Sequence, residues 1–314
     1  MTSMASGGYT HDALYYQSED ELLAAAVPFL RSGLDDGQDA MVVCADSTNA
    51  LLTEALDGDP GISTMSQEEV FRRTPGAIAM YQQMMERNRA EGGTGMRLVG
   101  QVDFGASPAE WAEWARFDAV LNRALAPYPM WNLCMYDTRQ LPSEVLEWAN
   151  LSHPNLVTAG ARQANPAYLE PTEFMRRSAP TQPDPLTAAT PVLEVHGLTD
   201  LRSLRQQLRV ALSASSLSPE TLADFVVAVS EVATNALVHG KSPVDVRLWS
   251  TPNRSLCIVT DRGSGFDDLF AGYAAAREDL AGGGMGLWLA RQLCDHLYAE
   301  QTADGFTVSL SVRA

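Results

Sequence analysis

The chain has 314 residues, of which 46% are hydrophobic, and its 39 acidic against 22 basic residues leave a net charge of −17. That length suits two domains of ordinary size, and the hydrophobic share is enough for two cores. So large an acidic excess argues against a nucleic-acid ligand, whose phosphates demand clustered Lys and Arg, and against an anionic membrane surface.

The opening segment, MTSMASGGYTHD, has neither a basic stretch nor an apolar one, so no signal peptide is expected. No apolar run approaches the ~20 residues that span a bilayer. These features predict an acidic cytoplasmic protein. Cys44, Cys134, Cys257 and Cys294 are far apart and form no CxxC. Buried thiols in a reducing compartment are expected, because a metal site would call for closer ligand spacing.

In chain order, ALYY (13–16) reads as a short strand. Ser18 and Glu21 then fit a capping box opening the amphipathic helix ELLAAAVPFLRSGL, which Pro28 should kink or end. AMVVCA (40–45) is an apolar run of buried-strand type, followed by a helix capped by Ser47. The glycines of EGGTGMR (91–97) read as a turn, and MRLVGQVDF (96–104) as the next strand. Ser107 and Glu110 form a second capping box, ahead of EWAEWARFDAVLNRAL. MWNLCMYD (130–137) is again a strand, and Ser143 is placed to cap EVLEWANL.

Apolar strands alternating with helices imply a mostly parallel sheet covered on both faces, joined by right-handed crossovers. A nucleotide site is not expected here. No GxxxxGK[ST] occurs, and no GxGxxG follows a strand. The order of elements, with LRSGLDDGQDAMVV (30–43), EWARFDAVLN (113–122), LCMYD (133–137), SHPNLVTAG (152–160) and YLEPTEF (168–174), resembles the MEDS family. That is a sensory domain of bacterial regulators with a P-loop-protein-like core. The resemblance covers 10–175 and implies an unidentified small ligand or partner. One departure is Gln38, where an acid commonly follows the glycine; Asp39 stands beside it.

Residues 176–190, RRSAPTQPDPLTAAT, show no periodicity and are rich in Pro, Thr, Ser and Ala. They read as a linker between domains at 10–175 and 191–314.

In the second domain PVLEVHGL (191–198) reads as a strand and LRSLRQQLRVALSAS as a helix. Pro219 begins a longer helix, ETLADFVVAVSEVATNALVHG, which Gly240 ends. Phe225, Val229, Val232 and Ala236 form its apolar stripe. Glu231, Asn235 and His239 stack one turn apart on a neighbouring face. VDVRLWS (244–250) and SLCIVTD (255–261) then pair as strands. Asp261, Gly263 and Gly265 open one glycine-rich loop, and Gly282 to Gly286 form another before a helix over 285–297. A hairpin over 298–312, turning at 303–305, closes the chain. Each motif alone has a plain reading: DxGxG is a common turn, GGGMG a flexible loop, a helical Glu a solvated face. Their order and context favour a nucleotide site.

The domain closely resembles the GHKL ATPase superfamily, and within it the anti-sigma-factor serine kinases of the sporulation and general-stress type. The resemblance covers 191–314 and implies a two-layer α/β Bergerat fold that binds ATP and Mg2+. Its N-box matches Glu231, Asn235 and His239, its first glycine box Asp261, Gly263 and Gly265, and its second Gly284, Met285 and Gly286. An Asn oxygen suits magnesium, which takes hard oxygen ligands. Glu231, one turn earlier, is placed to accept a proton from a hydroxyl nucleophile. Asp261 is suited to an adenine amino group, since an ionised carboxylate only accepts. Gly263 and Gly265 let backbone approach the base, and the 282–286 run offers N–H groups to phosphate. Arg277, within the expected lid of 266–283, is assigned to the γ-phosphate. His239 fits either phosphate contact or the helix dipole.

A histidine kinase of the usual kind carries its phosphoacceptor on a dimerisation helix. His196 lies in a strand-like segment, and no other His occurs between 154 and 238. Three readings follow. The first is a kinase acting on Ser or Thr of an anti-anti-sigma protein, and/or a binder of a sigma factor. The second is a non-enzymatic, nucleotide-dependent switch that sequesters its partner, and the third a histidine-kinase-like ATPase driving a conformational cycle. A homodimer is compatible with each.

Overall fold

The computed structural model describes residues 8–158, 160–274 and 284–314. They fall into two compact units, Met1–Ala179 and Pro180–Ala314.

The first unit begins with β1 (Thr10–Tyr16), α1 (Glu19–Asp35), β2 (Asp39–Cys44), α2 (Asp46–Ala55), β3 (Ile62–Ser66), α3 (Gln67–Val70) and α4 (Thr74–Ala90). There follow β4 (Met96–Gly100), α5 (Pro108–Ala124), β5 (Met130–Asp137), α6 (Ser143–Ser152), β6 (Asn155–Thr158), β7 (Ala161–Ala164) and α7 (Pro171–Arg177). The sheet order is β3-β2-β4-β5-β1-β6-β7. All pairings are parallel except β6 with β7. Alternation along β1 separates the two faces. Leu14 and Tyr16 join a core with Leu22, Ala26 and Leu30 of α1 and Leu52 of α2. On the opposite side His11 and Tyr15 bond to α5 and α6. There Ala115 and Ala119 pack with Leu151 and Phe174.

Both capping boxes form. Ser18 Oγ accepts from the Glu21 amide at 3.2 Å, and Ser107 Oγ from the Glu110 amide at 3.4 Å. Other local expectations are corrected. α1 continues through Pro28 rather than ending there, because its buried leucines hold it against the sheet across the missing N–H. α2 and α6 have Ala45 and Pro142 at their N-caps, with Ser47 and Ser143 inside the helices. For α2 the preceding strand ends at Cys44, which leaves the chain no room for a later start. β4 stops at Gly100, short of the expected 104. β3, α3 and α4 had no clear sequence signal; β3 is half exposed and lacks a continuous apolar run. Gln38, where an acid was expected, accepts from Arg97 Nε at 2.8 Å, and Arg97 also lies over the Trp131 ring. The glutamine thus partners an inward-facing guanidinium.

The second unit contains β8 (Leu193–Val195), α8 (Leu201–Leu212), α9 (Pro219–His239), β9 (Asp245–Ser250) and β10 (Arg254–Asp261). It closes with α10 (Gly284–Leu293), β11 (His296–Thr302) and β12 (Gly305–Arg313). Five strands form an antiparallel sheet in the order β11-β12-β10-β9-β8. α10 ends earlier than expected, so His296 and Leu297 belong to a strand. α8, α9 and α10 pack with the sheet in a single core. Phe225, Val226, Val229 and Val232 of α9 are all nearly inaccessible there. Each such large apolar side chain contributes about 1.5–3 kcal/mol.

Contrary to the sequence reading, α9 is by itself long and apolar enough to cross a bilayer. Its apolar face is instead used against the sheet and its helical neighbours. Part of the expected linker is also structured. Residues 185–188 form a one-turn 3-10 helix. Asp184 makes a two-pronged pair with Arg254, and Ala189 O accepts from Trp249 Nε1 at 2.8 Å. These contacts tie the segment to the second unit.

Candidate functional site

The site is built where α9 ends, β10 ends and α10 begins. Ser218 Oγ accepts from the Thr221 amide at the start of α9, and Gly240 caps its end. Between these caps the helix buries its stripe and leaves Glu231, Thr234 and Asn235 half-buried beside it. Thr234 returns its hydroxyl to Ser230 O at 2.7 Å. Among the described residues, neither the Glu231 nor the Asn235 side chain makes a hydrogen bond or ion pair. They are polar groups in a half-dry place, free to take a ligand.

The loop after α9 is fastened to the end of β10. Lys241 N–H donates to Asp261 Oδ1 at 3.1 Å, and Arg262 N–H to Lys241 O at 2.8 Å. Asp261 faces the helices, as its register partner Phe306 does. It is only 5% exposed. Its Oδ1 also accepts from Gly263 N–H at 2.6 Å. Two amides therefore hold one carboxylate oxygen, and among the described residues Oδ2 accepts no hydrogen bond. Gly265 has φ +65°, and a Cβ there would stand 2.0 Å from the Phe306 ring. No other residue type fits this turn without displacing the ring.

The N-terminus of α10 meets α9 side-on. A Cβ on Gly286 would lie 3.1 Å from both Glu231 Oε2 and Asn235 Nδ2. The first turn of α10 thus approaches both side chains at backbone distance, and a helix N-terminus favours anions. Met285, beside it, is 64% exposed. His239 is exposed at the C-terminal end of α9. Arg277, Gly282 and Gly283 lie outside the described residues, as does the structure of the expected lid beyond residue 274.

Some of this architecture had no sequence signal. The Arg291 guanidinium lies 3.9 Å from the centre of the Tyr273 ring and donates to Leu297 O at 2.9 Å. It ties the turn before residue 275 to α10 and β11. The Lys241 amide carries no side-chain information, and Phe306 arrives from a distant strand. Only the fold brings these three to the site.

Comparison with known proteins finds two family models, each matching one segment of the chain. Residues 10–154 match MEDS, the MEthanogen/methylotroph, DcmR Sensory domain. Residues 196–312 match the histidine kinase-like ATPase domain. The chain carries a MEDS domain followed by a histidine kinase-like ATPase domain. The ATPase domain is also similar to the serine-protein kinase RsbW of Bacillus pumilus (strain SAFR-032), at 35% identity over 106 aligned residues. That match covers 29% of this chain and 65% of the relative, so the chain spans less than two thirds of the relative's length. The α9–β10–α10 junction lies wholly inside the segment that matches the ATPase domain.

Proposed function

We propose that the ATPase domain binds Mg-ATP and transfers its terminal phosphoryl group to a Ser or Thr hydroxyl of an anti-anti-sigma protein. It also holds a sigma factor, and the MEDS domain controls it through a small ligand or partner. The carrying observation is the Glu231–Asn235 pair, unengaged among the described residues, one turn apart and within touching distance of the α10 N-terminus.

The residues present fit the nucleotide and its metal. Asn235 Oδ1 is a hard ligand for magnesium, and the free Asp261 Oδ2 is an acceptor for an adenine amino group. Amides of Gly284, Met285 and Gly286 are the phosphate cradle, while Gly263 and Gly265 admit the base. His239 and Arg277 are assigned to the phosphates. When bound, Mg-ATP supplies an electrophilic phosphoryl group with part of its charge neutralised. Glu231, as a carboxylate, takes the proton from the partner's hydroxyl while that oxygen bonds to phosphorus and ADP leaves. The similarity to a serine-protein kinase supports this acceptor type.

The test is incubation of the full chain with labelled ATP, magnesium and a panel of anti-anti-sigma proteins. Label on a Ser or Thr of one of them, lost in Glu231→Ala, is the expected result. Tight ATP binding with no transfer to any panel member would instead mark a sequestering switch. Phosphate release without an acceptor would mark a free-running ATPase.

A further inference from the structure

Four buried side chains of the MEDS domain converge from four different elements. His11 lies on β1, Cys134 on the adjacent β5, Asp118 on α5, and His153 caps the end of α6. One ligand-type atom from each lies within 4.8 Å of all the others. None of the four is more than 4% exposed. We propose that these four side chains hold a divalent transition-metal ion, with Zn2+ the ion their two nitrogens, one sulfur and one oxygen suit best.

The surrounding hydrogen bonds aim the ligands inward. His153 Nδ1 lies 2.8 Å from Ala149 O, and a carbonyl only accepts, so Nδ1 carries the proton and Nε2 the lone pair. Asn122 Nδ2 donates to Ser152 O at 2.8 Å, which fixes its other end as the oxygen. His11 Nδ1 donates to that oxygen at 3.1 Å, so its Nε2 also carries a lone pair. Burial keeps both imidazoles neutral, with the His153 pKa lowered to about 4. A metal-ligating histidine is commonly held this way, its second nitrogen bound to a carbonyl or carboxylate.

The count of donors then falls short. His11 Nε2 faces Cys134 Sγ at 3.2 Å. The Tyr136 hydroxyl is 3.4 Å from His153 Nε2, but beside an ionised Asp118, the form a metal ligand takes, its proton goes to Asp118 Oδ2 at 2.7 Å; without a cation, burial pushes the Asp118 carboxyl up to about 7. With Asp118 ionised, the His153 lone pair has no donor among the described residues, and buried Asp118 Oδ1 has no partner there. A buried polar network normally satisfies its members. A cation satisfies these lone pairs together. Tetrahedral zinc places its ligand atoms about 3.3–3.6 Å apart. His11 Nε2 and Cys134 Sγ already stand at that spacing, and the widest pair closes by at most about 1–1.5 Å. Binding displaces the Cys134 proton, since the thiolate is the ligand.

The probe is the metal alone, added as Co2+ and Zn2+ salts to the full-length chain stripped with a chelator under reducing conditions. One equivalent of Co2+ should give the intense visible bands of a tetrahedral ion and a near-ultraviolet thiolate charge-transfer band, both abolished by Zn2+. Cys134→Ser should lose the charge-transfer band, and His153→Ala should weaken Zn2+ binding at least hundredfold. Asn122→Ala, acting through His11, should weaken Zn2+ binding about ten- to hundredfold while keeping the tetrahedral bands. Asn235→Ala should leave the Co2+ bands unchanged, which separates this site from the ATPase domain. The wild-type spectrum needs no variant to fold. A wild-type chain without tetrahedral Co2+ bands overturns the proposal, and so does a charge-transfer band that survives Cys134→Ser.

Discussion

The two domains expose their polar side chains to different degrees. In the ATPase domain Glu231 and Asn235 are half-buried, Asp261 keeps one oxygen unengaged, and glycines let backbone come close. In the MEDS domain His11, Asp118, Cys134 and His153 are sealed inside, each oriented by a neighbour. A ligand that must enter and leave calls for the first arrangement. A group that stays, or a network that only holds elements together, is compatible with the second.

The largest effect should come from Glu231→Ala. General-base removal usually costs about 10²–10⁴ in rate, with little change in ground-state affinity. Phosphotransfer should collapse while ATP titration stays near wild type. Equal, measurable rates in mutant and wild type would remove Glu231 as the base, whereas no transfer by the wild type to any partner would leave the ATPase domain a binding module.

Next in size is Phe225→Ala. The ring is fully buried in the second core, and such truncations cost about 3–5 kcal/mol. Calorimetry should show one transition lowered and another, belonging to the MEDS domain, unmoved. A common shift of all melting would mean that the two units do not unfold separately. A fragment spanning residues 180–314 should correspondingly fold and bind ATP with magnesium.

Asn235→Ala and Asp261→Asn should each weaken Mg-ATP binding. Losing a charged or metal-directed contact costs about 1.5–3 kcal/mol, roughly tenfold to a hundredfold in Kd. Isothermal titration with and without magnesium distinguishes them, because the Asn235 effect should need the metal and the Asp261 effect should not. Unchanged affinity in both variants removes the nucleotide site from this junction.

The smallest effect should be at the N-cap of α9. Ser218→Ala removes the acceptor for the Thr221 amide and should destabilise the ATPase domain by about 1 kcal/mol. Denaturant melts of the 180–314 fragment, followed by fluorescence of Trp249 and Trp288, are suited to reading it. No change there would mean that the packed face alone holds the helix end.

Read residue by residue, the chain already disclosed much of this. The alternation of apolar strands and capped helices pointed to a parallel sheet, which β1, β2, β4 and β5 form. The apolar stripe through Phe225, Val229, Val232 and Ala236 named the buried face of α9. The spacing of Glu231 and Asn235 placed both beside that stripe, because helical periodicity is a local property. What needed tertiary structure was long-range. Caps at Ala45 and Pro142 depend on where the preceding chain leaves off. Gln38 is explained by Arg97, and Gly286 by its approach to α9. The Cys134 thiol was expected to be buried and metal-free, because the four cysteines are far apart and form no CxxC. Its neighbour His11 is 123 residues away, brought beside it by the β1–β5 pairing. Periodicity and caps act over a few residues, whereas the pairing of distant strands follows from burying whole faces at once, and no short window of sequence carries that information.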